Sequence, residues 1–384
     1  MTTLFVDAGE LMARRSGSVD PSKFPDEEFE LHSIPAFDAG KPEVLRGDQI
    51  GSTKQLVAPN DVMISKIVPH IRRSTIVPEF TGRRQIASSE WIVFRGSQFF
   101  PDYLRHFLTS NGFHARFMST VSGVGGSLLR ARPAEVAKIK IPLPPLFEQR
   151  RLAGLLSHAE GIIKLRREAQ HKAAELVPAL FLDVFGDPAS NPKGWPVVPF
   201  AEIADTQLGK MLDKKKQTGL HSFPYLGNSN VRWDDFDLDG LLEMDFSDKE
   251  RVKFQLMPGD LLACEGGEVG RAAIWRGQME GCFYQKAIHR IRSKPSLAVP
   301  EFILHWLWIM SKQGLLVNAG TKATIAHLPA EKLRSLKVAL PPIELQRQFA
   351  IKADAVRTIA AQQTAALATA QATFDALLHQ SFQH

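Results

Sequence analysis

The chain has 384 residues, 44% of them hydrophobic and 23% charged, and a formal net charge of +6. That length and balance suit two ordinary globular cores. No apolar run reaches the roughly 18 residues of a membrane span and no leader-like segment opens the chain, so a soluble, cytoplasmic protein is expected. The two cysteines, Cys264 and Cys282, are too few for a disulfide scaffold or a cysteine metal cluster.

Charge is unevenly spread. Residues 1–60 hold ten acids and six Lys/Arg, whereas residues 61–140 hold five acids and twelve Lys/Arg. The doublets Arg72-Arg73 and Arg83-Arg84 lie in that basic stretch, and Lys214-Lys215-Lys216 lies in the second half. Such clusters suit a phosphate backbone, whose counterions they release, and equally a solvated basic surface.

In chain order, the first elements read as short strands. VMISKIV (62–68), STIVPEF (74–80) and WIVFR (91–95) are β-branched or aromatic runs bounded by turn formers. An amphipathic helix should open at Pro101, since proline is tolerated in the first turn. A Gly-rich loop, SGVGG (122–126), follows, then a short helix and strand leading to Pro144-Pro145.

From Leu146 to Phe185 the pattern becomes one long helix, roughly 60 Å at 1.5 Å per residue. Its predicted heptad seam runs through Leu152, Leu155, Ala159, Ile162, Arg166, Ala169, Ala173, Leu176 and Leu180. Pro178 should kink it, because proline cannot donate to the carbonyl of Ala174. Asn191-Pro192-Lys193-Gly194 reads as a linker turn.

Then the same order begins again. VRWDDF (231–236), DLLAC (260–264), AAIW (272–275) and AIHRIR (287–292) read as strands, and Pro300 should open a helix. AGTKAT (319–324) is the loop, and Pro341-Pro342 opens a second long helix. PPLFEQRRLA (144–153) lies over PPIELQRQFA (341–350), and that offset holds to the C-terminus. PDYLRHFL (101–108) matches PEFILHWL (300–307), and NDVMIS (60–65) matches GDLLAC (259–264). A repeat of this length means two complete domains, where stacked solenoid units repeat every 20–50 residues. The second seam falls on Phe349, Val356, Ile359, Ala366, Ala370 and Leu377, with Lys352, Gln363 and Thr373 as polar members. Two such helices, one per repeat, most simply pair with each other. Arg166 and Gln363 are equivalent in the repeat; as polar seam residues near mid-helix they are expected to lie close and to fix register, or else Arg166 snorkels from the seam into water.

Signs of catalysis are sparse. There is no GxGxxG after a strand, no P-loop, no HExxH, no CxxC and no Asn-Pro-Pro-aromatic tetrapeptide. Glu265–Arg271 is Gly-rich but lacks the Lys and Ser/Thr of a phosphate-binding loop, and it falls where a strand hairpin is expected. Asp61 and Asp260 occupy equivalent turn positions, where turn chemistry is the simpler reading. His106 and His305 also correspond, and packed core histidines are the simpler reading there.

Two β-rich domains, each followed by Pro-Pro-Leu/Ile…Gln-Arg at the start of a long helix, resemble the specificity subunit of a type I restriction-modification enzyme. The resemblance covers the whole chain. It implies an α+β fold of two tandem repeats, each a β-rich target recognition domain followed by a long helix, the helices pairing as an antiparallel coiled coil. The expected division is recognition domain 1 at 1–143, a central long helix at 144–187, recognition domain 2 at 188–340 and a C-terminal long helix at 341–384. It further implies a non-catalytic subunit that reads a bipartite double-stranded DNA target, one half-site per domain. Two methyltransferase subunits and restriction/translocase subunits would be its partners. No cofactor is expected in this chain; S-adenosylmethionine and ATP belong to the partners. Many relatives carry an extra N-terminal conserved segment, whereas here the first recognition domain begins almost at Met1.

Charge and amide chemistry in predicted loops single out DNA-contact candidates. They are Lys66, Arg72, Arg73, Arg83, Arg84 and Ser122 in the first domain. In the second they are Lys214, Lys215, Asn228, Asn230, Arg271, Lys286 and Lys322. Leu152, Leu155, Ile162, Arg166, Leu176, Phe349, Val356, Ile359, Gln363 and Leu377 are the helix-pairing candidates, and no metal ligands are expected. A tandem coiled-coil adaptor that binds only proteins is the alternative reading.

Overall fold

A computed structural model describes residues 3–13, 17–123, 129–213, 217–316 and 327–382. The chain divides into two compact units, Met1–Arg167 with Ala365–His384, and Glu168–Thr364. Each unit thus takes one β-rich region and a piece of both long helices.

In the first unit a five-stranded sheet has the order Ser18–Val19, Lys54–Leu56, Arg84–Ala87, Glu28–His32, Glu43–Arg46. Its central pairing, Glu28–His32 with Arg84–Ala87, is parallel. A three-stranded sheet holds Val62–Ser65 between Ser74–Ile76 and Trp91–Phe94. Leu4–Asp7 pairs antiparallel with Lys140–Leu143. The second unit has a four-stranded sheet in the order Ala204–Leu208, Ile288–Ser293, Leu261–Cys264, Ala272–Ile274. A three-stranded sheet has Ser222–Leu226 at its centre, and Val197–Pro199 pairs with Lys337–Ala339. The predicted strand 231–236 is a short hairpin instead, Val231–Arg232 against Asp235–Phe236. Its turn is reached through Asp234 at a φ of 54°.

Helices open at both prolines, Pro101–Thr109 and Pro300–Lys312. The residues before them, Phe100 and Val299, offer no side-chain cap. The missing acceptor comes from the glutamine of the repeated motif. Gln149 Oε1 accepts from Phe100 N at 2.8 Å, and its Nε2 donates to the carbonyls of Gln98 at 3.3 Å and Pro144 at 2.8 Å. Gln346 repeats this with Val299 N at 3.1 Å, Leu297 O at 3.0 Å and Pro341 O at 2.8 Å. Both glutamines are buried. Each therefore clamps the start of a long helix to the helix and loop of its own unit. Gln346→Leu would leave a backbone N–H and two carbonyls without this partner, and should cost about 2–3 kcal/mol by urea unfolding. A loss under about 0.5 kcal/mol would mean that water replaces the clamp.

The long helices span Leu146–Phe185 and Ile343–Ser381. In the first unit Arg167 Nη2 donates to Gln371 Oε1 at 3.2 Å, and Phe382 packs on the core to which Leu152 and Ala153 belong. In the second, Gln170 Nε2 donates to Thr364 Oγ1 at 2.9 Å and Phe181 meets Phe349 at 5.6 Å. Rising numbers on one helix meet falling numbers on the other, so within each unit the segments run antiparallel. Pro178 lies inside the first helix, which continues to Phe185.

On the predicted seam of the first helix Ala173 is buried and Leu152, Ala159, Arg166, Ala169 and Leu180 are half-buried, but three positions need correction. Leu155, Ile162 and Leu176 are 47%, 50% and 52% exposed, while Ala153, Leu156, Ile163 and Phe181 are buried. Leu155-Leu156 and Ile162-Ile163 are adjacent apolar pairs, so two registers about 100° apart satisfy the same spacing. On the second helix Phe349 is buried, and Val356, Gln363 and Leu377 are half-buried, as is Arg166 on the first. Ile359 is 48% exposed, and half-buried Ala360 takes its place.

Core histidines give the fold an acid limit. His106 is fully buried, with Nε2 3.2 Å from Ser157 Oγ and 3.1 Å from Arg105 Nη2. Burial, reinforced by Arg105, pushes it down to about 4. Burial also pushes His305, whose ring meets Phe349 at 5.6 Å, down to about 4. Both folded values lie below the unfolded value of 6.5, so the neutral rings stabilise fully above pH 6.5. That contribution is lost as pH falls from 6.5 towards 4. For His305 the loss should be about 2 kcal/mol by pH 5. Urea midpoints that stay flat between pH 6.5 and 5, above the main carboxylate titration, would contradict this.

Candidate nucleic-acid interface

In the first unit the basic loop Lys66–Arg73 joins the strands Val62–Ser65 and Ser74–Ile76. It is pinned at its base: Lys66 N donates to Glu90 O, Ala131 N to Lys66 O, and Val68 N to Leu129 O, all within 3.0 Å. The second unit builds the same base under Glu265–Arg271. Glu265 N donates to Ala287 O, Leu328 N to Glu265 O, and Cys264 N to Arg271 O.

The predicted contact residues divide by what already holds them. Arg73 is buried, and its guanidinium meets Asp38 through two hydrogen bonds of 2.7 and 2.9 Å. That carboxylate, held by the guanidinium, titrates below its ordinary range. Arg271 spans Asn228 O at 2.8 Å and Glu268 at 3.7 Å and has little exposure. These two arginines are braces inside their loops. Arg83 and Arg84 are paired with Glu28 at 2.9 Å and Glu27 at 2.8 Å, and Arg84 also lies 4.3 Å from the Phe24 ring. Their acidic partners come from the acid-rich first 60 residues, so folding brings the two charge blocks together. Asn228 donates to Gly266 O at 3.1 Å, and Asn230 donates to Asp237 O and accepts from Gly227 N. Both amides shape turns.

Lys66 is half-buried, and Lys286 and Ser122 are exposed; among the described residues none of the three has a carboxylate partner. Arg72 is exposed and held by oxygens of the helix junction, Thr109 O at 3.0 Å and Asn111 Oδ1 at 2.7 Å. Lys214, Lys215 and Lys322 lie outside the described residues. Sequence reasoning passed over His70 and His114, which join Arg72. The available signal was His70-Ile71-Arg72 directly after Pro69, a cation-rich turn without an acid.

Asp61 and Asp260 do more than turn chemistry. Asp61 accepts from Ala58 N at 2.8 Å and from Arg95 Nε at 2.7 Å. Asp260 accepts from Met257 N at 2.8 Å and from Arg292 Nε and Nη2 at 2.6 and 2.7 Å. Each ties the entrance of a loop-bearing strand to a neighbouring strand of its sheet.

A family model described as "Type I restriction modification DNA specificity domain" matches residues 192–367. Residues 192–367 are thus similar to the DNA specificity domain of type I restriction-modification systems. The match falls on the second repeat, and the duplicated clamp and ion pair carry the likeness into the first. The fold is also similar to a chain from "Structural basis underlying complex assembly and conformational transition of the type I R-M system". That chain is 22% identical, with 99% of this chain and 97% of that one covered at a TM-score of 0.65. The type I restriction-modification S subunit from M. genitalium is 14% identical, with 100% and 96% covered at 0.56. Among the described residues no His/Cys/Asp/Glu group could hold a metal ion. Nor is any described helix long and apolar enough to cross a membrane.

Proposed function

We propose that each unit reads one half of a two-part double-stranded DNA sequence. The long helices carry two methyltransferase subunits, and restriction/translocase subunits join them. S-adenosylmethionine and ATP enter with those partners. One observation carries the reading: the same polar clamp, the same Asp–Arg pair and the same pinned loop occur once in each unit. One domain discriminates only a few base pairs at about 1–3 kcal/mol each, so two domains lengthen the sequence that can be specified. The similar chain at a TM-score of 0.65 comes from a study of complex assembly in a type I system, which supports a multi-subunit setting.

Exchanging residues 1–143 for the equivalent domain of a relative should change one half-site and leave the other. The readout is the motif enriched from a randomised duplex pool. A chimera that changes both halves would contradict independent reading. A protein-only adaptor would enrich no motif at all.

A further inference from the structure

The two pinned loops differ at their tips. Val68 and Gly267 are equivalent: each follows a bridged residue, Ile67 to Arg130 and Gly266 to His327. Both are left-handed, at φ values of 49° and 74°. Glycine adopts that conformation freely, but a β-branched residue resists it, and Val68 also precedes a proline, which favours extended backbone. The strained turn is kept by the hydrogen bond from Val68 N to Leu129 O and by Ile71 N donating back to Val68 O at 3.0 Å. Beyond it the chain presents His70, Ile71 and Arg72, all exposed, with Ile71 at 43%.

The second unit's tip is folded back. Val269 is buried, and Glu268 accepts from Trp233 Nε1 at 2.8 Å and Lys312 Nζ at 3.0 Å. In the first unit no carboxylate answers the tip among the described residues. Arg72 is anchored by two oxygens at the Thr109–Asn111 junction, which leaves other guanidinium N–H groups outside those bonds. His114 lies on the helix Asn111–Ser119 that begins there. Burial first, then the neighbouring charges of Arg72 and His70, hold His114 below its usual range. Arg72 and two imidazoles, His70 and His114, thus lie on the tip and the helix junction beside one exposed isoleucine.

Resting on the DNA-reading function above, we propose that the Pro69–Arg72 tip determines specificity in the first half-site. Ile71 meets a base edge, as apolar side chains meet the thymine methyl group. Arg72, with His70 and His114, holds the flanking phosphodiester; a pre-anchored guanidinium loses little freedom on doing so. The left-handed Val68 is the pivot that presents the tip. In the second unit the folded-back loop leaves reading to other residues.

The test uses the full chain purified with its native partner subunits and a randomised duplex pool. Ile71→Ala should relax preference at one position of the first half-site and leave the second unchanged. Arg72→Gln should weaken binding about tenfold on every sequence and lower the log–log salt slope by about one. Continued enrichment of the wild-type second half-site by both variants serves as the folding control. A wild-type two-part motif that both tip variants reproduce with unchanged affinity overturns the tip. So does a change at the second half-site. A wild-type protein that enriches no motif sinks the DNA-reading function itself, and the tip with it.

Discussion

Arg292→Ala should destabilise the protein by about 3–5 kcal/mol, read as a lower urea midpoint at pH 7. Asp260 has only 1% of its side chain exposed. Its two oxygens are matched by the Arg292 guanidinium through two hydrogen bonds, with Met257 N as a third donor. Removing the arginine leaves a buried charge with one backbone N–H. That desolvation penalty, more than the lost attraction, sets the size of the effect. The arginine side chain is 37% exposed, which places the loss towards the lower end. Asp260→Asn combined with Arg292→Ala should recover part of it, because no buried charge remains. Arg95→Ala should act alike in the first unit, where Asp61 is 2% exposed. If the single and double variants unfold together, the buried charge is not the cause.

Phe349→Ala should cost about 3–5 kcal/mol. The side chain is 1% exposed and meets Phe181 at 5.6 Å, Phe185 at 5.1 Å and His305 at 5.6 Å. These near-perpendicular rings add to the transfer term, and the cavity left among them cannot close without moving two helices. Its repeat mate, Leu152, is half-buried, so Leu152→Ala should cost clearly less, about 2 kcal/mol. Equal losses at both positions would show that the aromatic cluster adds nothing. Against a typical total of about 5–15 kcal/mol, Phe349→Ala alone takes a large share.

Some of this was legible before any fold was known. The repeated Pro-Pro…Gln-Arg motif marked both helix starts, and the prolines at 101 and 300 marked two more. The strands at 62–65, 91–94, 261–264 and 288–293 lay within or close to predicted runs. Glu28–His32 alternates polar and apolar residues over only five positions, too short a run to stand out, and Ala204–Leu208 carries acid and amide residues with no alternation. The parallel pairing of 28–32 with 84–87 joins segments more than fifty residues apart. The candidate interface was legible only in part. Arg72 and Arg73 are neighbours of identical chemistry, yet one is exposed at a helix junction and the other is buried on Asp38.

The sequence by itself determined the duplication, the helix lengths and the presence of one basic loop in the first repeat. These follow from residue order and periodicity, which any observer of the chain can count. Only the tertiary structure decided which of two adjacent apolar residues faces inward. A rotation of one residue costs nothing in spacing and everything in contact, so Leu156 and Ile163 are buried and Leu155 and Ile162 are not. Tertiary structure also decided which arginines remain available to a phosphate. A cation's partner is set by distance in space, and the carboxylates that neutralise Arg73, Arg83 and Arg84 come from segments 35 to 57 residues away.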